Sequence, residues 1–278
     1  MLIARTLPEL RAGCAVLRRN APTLALVPTM GALHAGHLAL VAAARQRAAA
    51  VVASIFVNPL QFGPAEDLAR YPCDETADLA ALRQAGCDLV WLPDAGTMYP
   101  PGSATRIVVG GPARRWEGAA RPGHFEGVAT VVTKLFGQVR PEIACFGEKD
   151  WQQVQVVRRM AADLDLGVAI EVVPTVRDAD GLALSSRNRF LSPEQRVAAA
   201  RLPAALRMAV RDLADGRPAQ PVLSACVATL RAHGFQPDYL ALVDAESLEP
   251  LEAARPPARL IAAARLGPVR LLDTMVVA

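Results

Sequence analysis

The sequence predicts an α/β protein, a Rossmann-like doubly wound parallel sheet followed by a smaller α+β C-terminal domain. Three observations carry that expectation. Short apolar runs alternate with helical stretches as far as Val173, the pattern of successive βαβ units. The Gly-, Pro- and amide-bearing turns fall just after strand-like runs, at the edge where open parallel sheets bind ligands. Beyond Val173 the alternation stops, which places a domain boundary between residues 175 and 176.

The elements follow in order. Residues 23–27 form a short apolar run, 36–49 a helical stretch, 51–57 a second strand, 74–85 a helix closed by Gly86, and 88–92 a third strand. A strand at 104–109, a helix at 127–138, a strand at 142–146, a helix at 150–164 and a strand at 168–173 extend the series. Pro174 to Leu191 reads as a long polar loop, and connections of that length usually carry function. Helices at 193–214 and 220–233 then precede strand-like runs near 238–243, 258–264 and 269–277.

Composition narrows the classes available. A chain of 278 residues with 52% hydrophobic content can bury a sizeable core, and the absence of an apolar run of 18 residues or of a leader-like N-terminus leads us to expect a soluble cytoplasmic protein. Five cysteines, an odd number without a CxxC pair, suggest reduced thiols. A net charge of +3 with scattered arginines argues against nucleic acid and fits a local basic site for a small anion.

The strongest local signal is Pro28-Thr29-Met30-Gly31-Ala32-Leu33-His34-Ala35-Gly36-His37, in which strand, turn and helix start succeed one another. Unpaired N–H groups at a helix start attract anions, Gly31 and Gly36 permit close backbone approach, and residues three apart share a helix face. His34 and His37, two of the chain's four histidines, can thus donate to the same phosphates. Packing of one ring against the sheet with the other solvated is the alternative; a metal pair would lack further ligands.

Of 30 cationic side chains only Lys134 and Lys149 are lysines, so each invites a reason. Lys134 fits a snorkelling helix position, with ligand contact as the alternative. Lys149 lies in Gly147-Glu148-Lys149-Asp150-Trp151-Gln152-Gln153, a second strand–turn–helix junction whose helix Asp150 could cap. A compact ammonium there can follow a moving phosphate, whereas an exposed turn lysine would have no such role. Asn58 and Gln61 place two amides after the strand at 51–57, and Ser185-Ser186-Arg187-Asn188 offers hydroxyl, guanidinium and amide donors suited to oxyanions. With neither a nucleophile triad nor a Walker loop, the set points to electrostatic catalysis at an α-phosphate with pyrophosphate leaving.

These segments, together with Phe56 to Phe62, Arg121-Pro122-Gly123-His124-Phe125, Val176 and Leu184 to Asn188, resemble the successive signatures of the pantoate–β-alanine ligases, in that family's order and spacing. The resemblance spans nearly the whole chain and is specific within residues 20–190; the His-x-Gly-His element alone is shared with wider nucleotidyltransferases. It implies that (R)-pantoate attacks ATP to give pantoyl adenylate and pyrophosphate, and that β-alanine then displaces AMP to form pantothenate on the route to coenzyme A. Mg²⁺ would shield the phosphate charge.

Carried over by position, the resemblance makes Met30, Gly31, Ala32, Leu33, His34, Ala35, Gly36 and His37 part of the ATP site, with Gly147, Glu148, Lys149, Asp150, Val176, Leu184, Ser185, Ser186 and Arg187 completing it. His34, His37 and Lys149 are the implied catalytic residues; in the family His37 is described as a proton donor, but a carboxylate nucleophile needs no deprotonation, which favours charge stabilisation. Gln61 and Gln153 would hold pantoate, Gln61 would also meet β-alanine, and Asp150 would bond the ribose. Residues 1–175 would bind ATP and pantoate, residues 176–278 would form a lid, and 110–126, with His124, a mobile flap. A homodimer is also implied. Cys73, where the family usually has arginine, and Trp116, which replaces a smaller residue, depart from the pattern without touching the core phosphate ligands. A nucleotidyltransferase that keeps the nucleotidyl group on its product, and a nucleotide-sensing module without turnover, are the other classes compatible with the histidine pair.

Overall fold

The computed structural model describes residues 1–63 and 71–277. Six parallel strands form the main sheet in the order β1-β4-β3-β2-β5-β6, comprising β1 (Leu2–Ala4), β2 (Leu24–Thr29), β3 (Ala50–Ile55), β4 (Leu89–Trp91), β5 (Ile143–Gly147) and β6 (Ala169–Val173). The central strands are apolar on both faces because both are covered. Leu24 and Leu26 of β2 enter one core cluster, with Leu10, Val128 and Val154, while Ala25 and Val27 enter another, with Leu40, Val41 and Leu82. Helices α1 (Leu7–Asn20), α6 (His124–Val139) and α7 (Trp151–Asp163) therefore lie on one face, and α2 (Ala35–Arg47) and α3 (Glu75–Gln84) on the other.

Strand order reverses at β2, which has β3 on one side and β5 on the other. The crevice at such a reversal, beyond the C-terminal strand ends, is where doubly wound sheets bind ligands. Here it is framed by the turns after β2, β3, β5 and β6.

Three differences from the sequence expectations have physical reasons. Residues 104–109 join no ladder: Ile107 and Val109 pack on the main core, the Ile107 N–H donates to Thr130 Oγ1 at 3.0 Å, and Val108 is 76% exposed. A period of two reports a half-buried extended chain, and a segment laid across α6 meets that condition without strand pairing. The helix expected at 193–214 divides into α8 (Pro193–Ala199) and α9 (Arg201–Ala214), Pro203 having no N–H to continue the ladder and a ring that crowds the carbonyl four residues back. The edge strand β1 and helix α1 lie outside the expected series, although the Thr6–Glu9 capping box and Pro8 mark the helix start. Two short helices, α4 (Ala95–Met98) and α5 (Glu117–Ala120), are likewise additions to it.

The C-terminal part pairs β7 (Phe235–Asp244), β8 (Ala258–Leu266) and β9 (Val269–Val277) in an antiparallel sheet, β7-β8-β9. Leu202 and Leu206 of α9 and Leu230 of α10 (Ala219–Ala232) fill a core with one face of that sheet. Residues on its other face, Ala241, Val243 and Ile261, join the main core instead. Trp151 marks that junction, donating from Nε1 to the Ala245 carbonyl at 2.7 Å beneath the Arg259 guanidinium, which stacks 3.5 Å from the ring centroid and meets Glu148 Oε1 at 2.8 Å.

Candidate active site

The turn after β2 is held from below. Gly31 and Ala32 both have positive φ, 83° and 51°, and their position is set by Asp78 of α3, whose two carboxylate oxygens accept the Ala32 and Leu33 N–H groups at 2.8 Å each. His34 follows as the N-cap of α2. Its Nδ1 accepts the Gly36 N–H at 3.1 Å, and its own N–H donates to His37 Nδ1 at 3.3 Å, a capping box in which both side chains are imidazoles. The expectation of unpaired N–H groups facing a phosphate is corrected here: the histidine rings take the capping role, and the His37 and Leu38 N–H groups return to the His34 carbonyl.

That capping sets the chemistry of the pair. Because both Nδ1 atoms accept from backbone, each neutral ring carries its proton on Nε2. The rings lie 4.1 Å apart at an interplanar angle of 35°. Burial, then the Lys149 ammonium, lowers His34 to about 4; burial, then His34 and Lys149, lowers His37 to about 3. At neutral pH the pair is a set of neutral Nε2–H donors beside one lysine.

Lys149 follows β5 in a short 3₁₀ turn, its Nζ 3.4 Å from Asp150 Oδ1. Asp150 stands at the N-cap of α7 without capping it, so the expected cap is not made; the neighbouring ammonium holds the carboxylate. Lys134 is elsewhere, its Nζ 5.9 Å from the Tyr99 ring centroid.

On the opposite wall, Gln61 is fixed through Asn58, for which the sequence suggested only an amide after a strand. Asn58 is 1% exposed; its Nδ2 donates to Gln61 Oε1 at 3.0 Å and to the Gly127 carbonyl at 3.1 Å, and its Oδ1 accepts from Tyr99 OH at 2.8 Å. Gln61 Nε2 has a thioether acceptor, Met30 Sδ at 3.2 Å. The Gln61 carbonyl accepts from Arg121 Nη2 at 3.2 Å and from His124 Nδ1 at 2.9 Å, and Arg121 Nη1 donates to His124 Nε2 at 3.1 Å. His124 is therefore a neutral Nδ1–H tautomer, opposite to His34 and His37.

Residues 110–126 are bound down by groups for which the sequence suggested no such role. Gln152 donates from Nε2 to the Pro112 and Arg115 carbonyls, both at 2.8 Å, and its Oε1 accepts the Glu117 N–H at 2.9 Å. Glu117, 4% exposed, receives Arg121 Nη1 at 3.1 Å, Arg270 Nη1 at 2.7 Å and Tyr239 OH at 3.1 Å. The Trp116 Nε1–H reaches the Leu248 carbonyl at 2.9 Å. A lone glutamate in a glycine-rich stretch gives no sequence signal of such burial.

The loop after β6 is more ordered than a polar loop suggests. Arg177 and Ala183 form an isolated β-bridge, the Leu184 N–H returns to the Val176 carbonyl at 3.0 Å, and Arg177 makes a two-pronged pair with buried Asp273 at 2.7 Å on each arm. Ser185 then caps a 3₁₀ turn, Ser186–Phe190, and Tyr71 OH lies 3.3 Å from Ser186 Oγ.

One cavity gathers these groups. Of the residues expected at the site, Met30, His34, Gly36, His37, Gln61, Gly147, Lys149, Asp150, Gln153, Val176, Leu184, Ser185, Ser186 and Arg187 line it. Gly31, Ala32, Leu33, Ala35 and Glu148 are not among its lining residues; the first three form the Asp78-bound turn, and Glu148 faces Arg259 and the Thr175 N–H. Buried polar atoms of Ser54, Thr175 and Arg270 that have no protein partner also belong to lining residues. Among the described residues no three His, Cys, Asp or Glu side chains converge as a metal site, and no helix is long and apolar enough to cross a membrane. All five cysteines are free thiols, Cys73 being exposed and the other four buried.

A doubly wound sheet with imidazole donors, one ammonium and a Ser-Ser-Arg turn at its switch point has the make-up of an enzyme that binds nucleotide phosphates. Residues 2–276 match the family model described as pantoate-beta-alanine ligase, and the chain belongs to that family of ligases. The pantothenate synthetase of Rhizorhabdus wittichii is 60% identical over 278 residues, covering 100% of this chain and 99% of that protein; that of Acidiphilium cryptum is 59% identical with 100% of both covered. A crystal structure of pantothenate synthetase from Thermus thermophilus superposes with a TM-score of 0.94 at 51% identity, covering 100% and 99% of the two chains. The Francisella tularensis pantoate-beta-alanine ligase, solved with Beta-gamma ATP and Beta-alanine, superposes at 0.85 and 31% identity over 99% and 97%.

Proposed function

We propose that this chain condenses (R)-pantoate with β-alanine at the expense of MgATP, through pantoyl adenylate. The observation that carries the proposal is the meeting in one cavity of two glutamines, Gln61 and Gln153, with His34, His37, Lys149 and the Ser185–Arg187 turn. The amides suit a hydroxy acid and the donors suit a polyphosphate.

In the first step pantoate's carboxylate oxygen attacks the α-phosphorus and the bond to the bridging oxygen of pyrophosphate breaks. Negative charge moves onto the leaving group. The Nε2–H donors of His34 and His37, Lys149, Ser185, Ser186 and Arg187 stabilise that charge, and Mg²⁺ arrives as part of the substrate. No histidine has to surrender a proton, in keeping with values of about 4 and 3. Gln61 Nε2 now faces a thioether, a weak acceptor that a pantoate hydroxyl oxygen can displace. In the second step the β-alanine amine, its ammonium proton released to solvent, attacks the acyl carbon; the bond from that carbon to the phosphate oxygen breaks, AMP leaves with the electron pair, and the nitrogen's second proton passes to solvent as the amide forms. Asp150 is assigned to the ribose.

In this reading residues 1–175 carry the substrates, 176–278 act as a lid, and the 110–126 flap keeps water from the adenylate. A cytoplasmic homodimer completes it. The test is product analysis: the purified protein should form pyrophosphate only with pantoate present and AMP stoichiometric with pantothenate once β-alanine is added. Transfer of the nucleotidyl group to a stable product, or ATP binding without turnover, would overturn the proposal. Gln153→Ala should raise the KM for pantoate with the KM for ATP nearly unchanged.

A further inference from the structure

We infer that Asp78 is a positioning residue for the histidine pair, setting from another helix the direction in which His34 and His37 present their Nε2–H groups. The inference deepens the adenylating reading and rests on it for its kinetic consequence. Asp78 belongs to α3, outside every segment that forms the cavity, and is 4% exposed. A buried carboxylate needs partners, and here they are backbone: the Ala32 and Leu33 N–H groups, each at 2.8 Å.

The turn it grips would not adopt this shape unaided. Ala32 has φ 51°, a left-handed conformation that costs a residue with a Cβ and persists only where its surroundings impose it. Gly31, with φ 83°, has no room for a side chain, since a Cβ would lie 2.8 Å from Asp78 Oδ2 and 3.1 Å from Ile55 Cγ2. Gly31 N–H donates to Thr29 Oγ1 at 3.3 Å, and that hydroxyl donates to the Ser54 carbonyl at 2.7 Å, so the turn is tied to β3 as well. Two residues beyond Ala32, the His34 backbone begins the capping box that aligns both rings. A release of the turn rotates the His34 N–H away from His37 Nδ1 and with it the donors aimed at the phosphates.

The experiment combines kinetics with a spectroscopic signature. Asp78→Asn keeps the size but offers one acceptor where two are needed. The expected result is a loss in kcat for pantoate-dependent pyrophosphate release of about 10- to 100-fold, the scale of a small misplacement of catalytic groups, with the KM for pantoate within about twofold. The ¹⁵N shifts of His34 and His37 should move away from the Nε2–H tautomer pattern of the wild type. Adding Ala32→Gly, which adopts positive φ without strain, should restore part of both. Unchanged kcat and unchanged histidine shifts in Asp78→Asn, or no rescue by Ala32→Gly in the double variant, would overturn the inference. If Asp78→Asn does not fold, Ala32→Gly/Asp78→Asn and Asp78→Ser supply the same readings. The histidine shifts report on the turn without turnover, so a wild type that fails to make pantothenate refutes the proposed reaction while leaving this inference tested.

Discussion

Replacement of Glu117 should separate the structural from the catalytic role of the flap. Its carboxylate is 4% exposed and accepts from Arg121, Arg270 and Tyr239 at 3.1, 2.7 and 3.1 Å, so Glu117→Ala leaves two guanidinium groups, 15% and 12% exposed, without it. Removing one member of a buried ion pair costs about 3–5 kcal/mol. Arg270 keeps Asp238 at 2.6 Å, which places the loss at the lower end, about 3 kcal/mol. Glu117→Gln keeps the shape and one acceptor, and should cost roughly 1.5–3 kcal/mol, the worth of hydrogen bonds to charged groups. Urea unfolding with linear extrapolation measures both. A functional consequence accompanies the loss: a loosened flap admits water to the adenylate, so AMP produced per pantothenate should rise above unity. Stabilities of both variants within about 1 kcal/mol of wild type, below the charged-bond range, would refute the reasoning, as would glutamine costing more than alanine.

Three further outcomes are expected. Lys149→Ala should cost on the order of 10²- to 10³-fold in kcat for adenylate formation, the scale of one lost transition-state donor, and Lys149→Arg should recover only part of it; retention of activity within severalfold would remove the lysine from the mechanism. Since folding lowers His34 and His37 from 6.5 to about 4 and 3, the unfolded chain binds protons that the folded chain refuses; stability from this source is complete above pH 6.5 and is lost as pH falls from there towards 4 and 3. A His37→Asn variant should therefore show a shallower acid decline in its urea midpoint, and an unchanged slope would contradict the assignment. Gly127→Ala should raise the KM for pantoate, because its Cβ would fall 2.3 Å from the Leu60 carbonyl oxygen and 2.6 Å from the Gln61 nitrogen, and an unmoved KM would show that Gln61 tolerates displacement.

Much of the site was legible because its signals are local. A Gly-punctuated turn after an apolar run, a histidine three residues from another and a lysine in an arginine-rich chain can be seen without a fold, and the structure brings His34, His37, Lys149, Gln61 and Gln153 to one cavity. The strands expected at 23–27, 51–57 and 142–146 appear as β2, β3 and β5 because continuous apolar runs between turns have few other solutions. The segment at 104–109 shows the limit of the same logic: its alternation reports burial on one side, and whether a neighbouring strand or a helix supplies that burial depends on topology.

The sequence by itself determined the parallel sheet, the turn that bears the histidines and the donor types gathered for a polyphosphate, since backbone conformation and side-chain chemistry are properties of short stretches. Only the tertiary structure decided how those donors are prepared. Asp78, Gln152 and Glu117 act through partners 35 to 153 residues away, and through-space bonds at such separations leave no periodicity to read. The same is true of protonation: two imidazoles are neutral donors because burial and a neighbouring ammonium exclude the extra proton, an energy that exists only once the chain has folded around them.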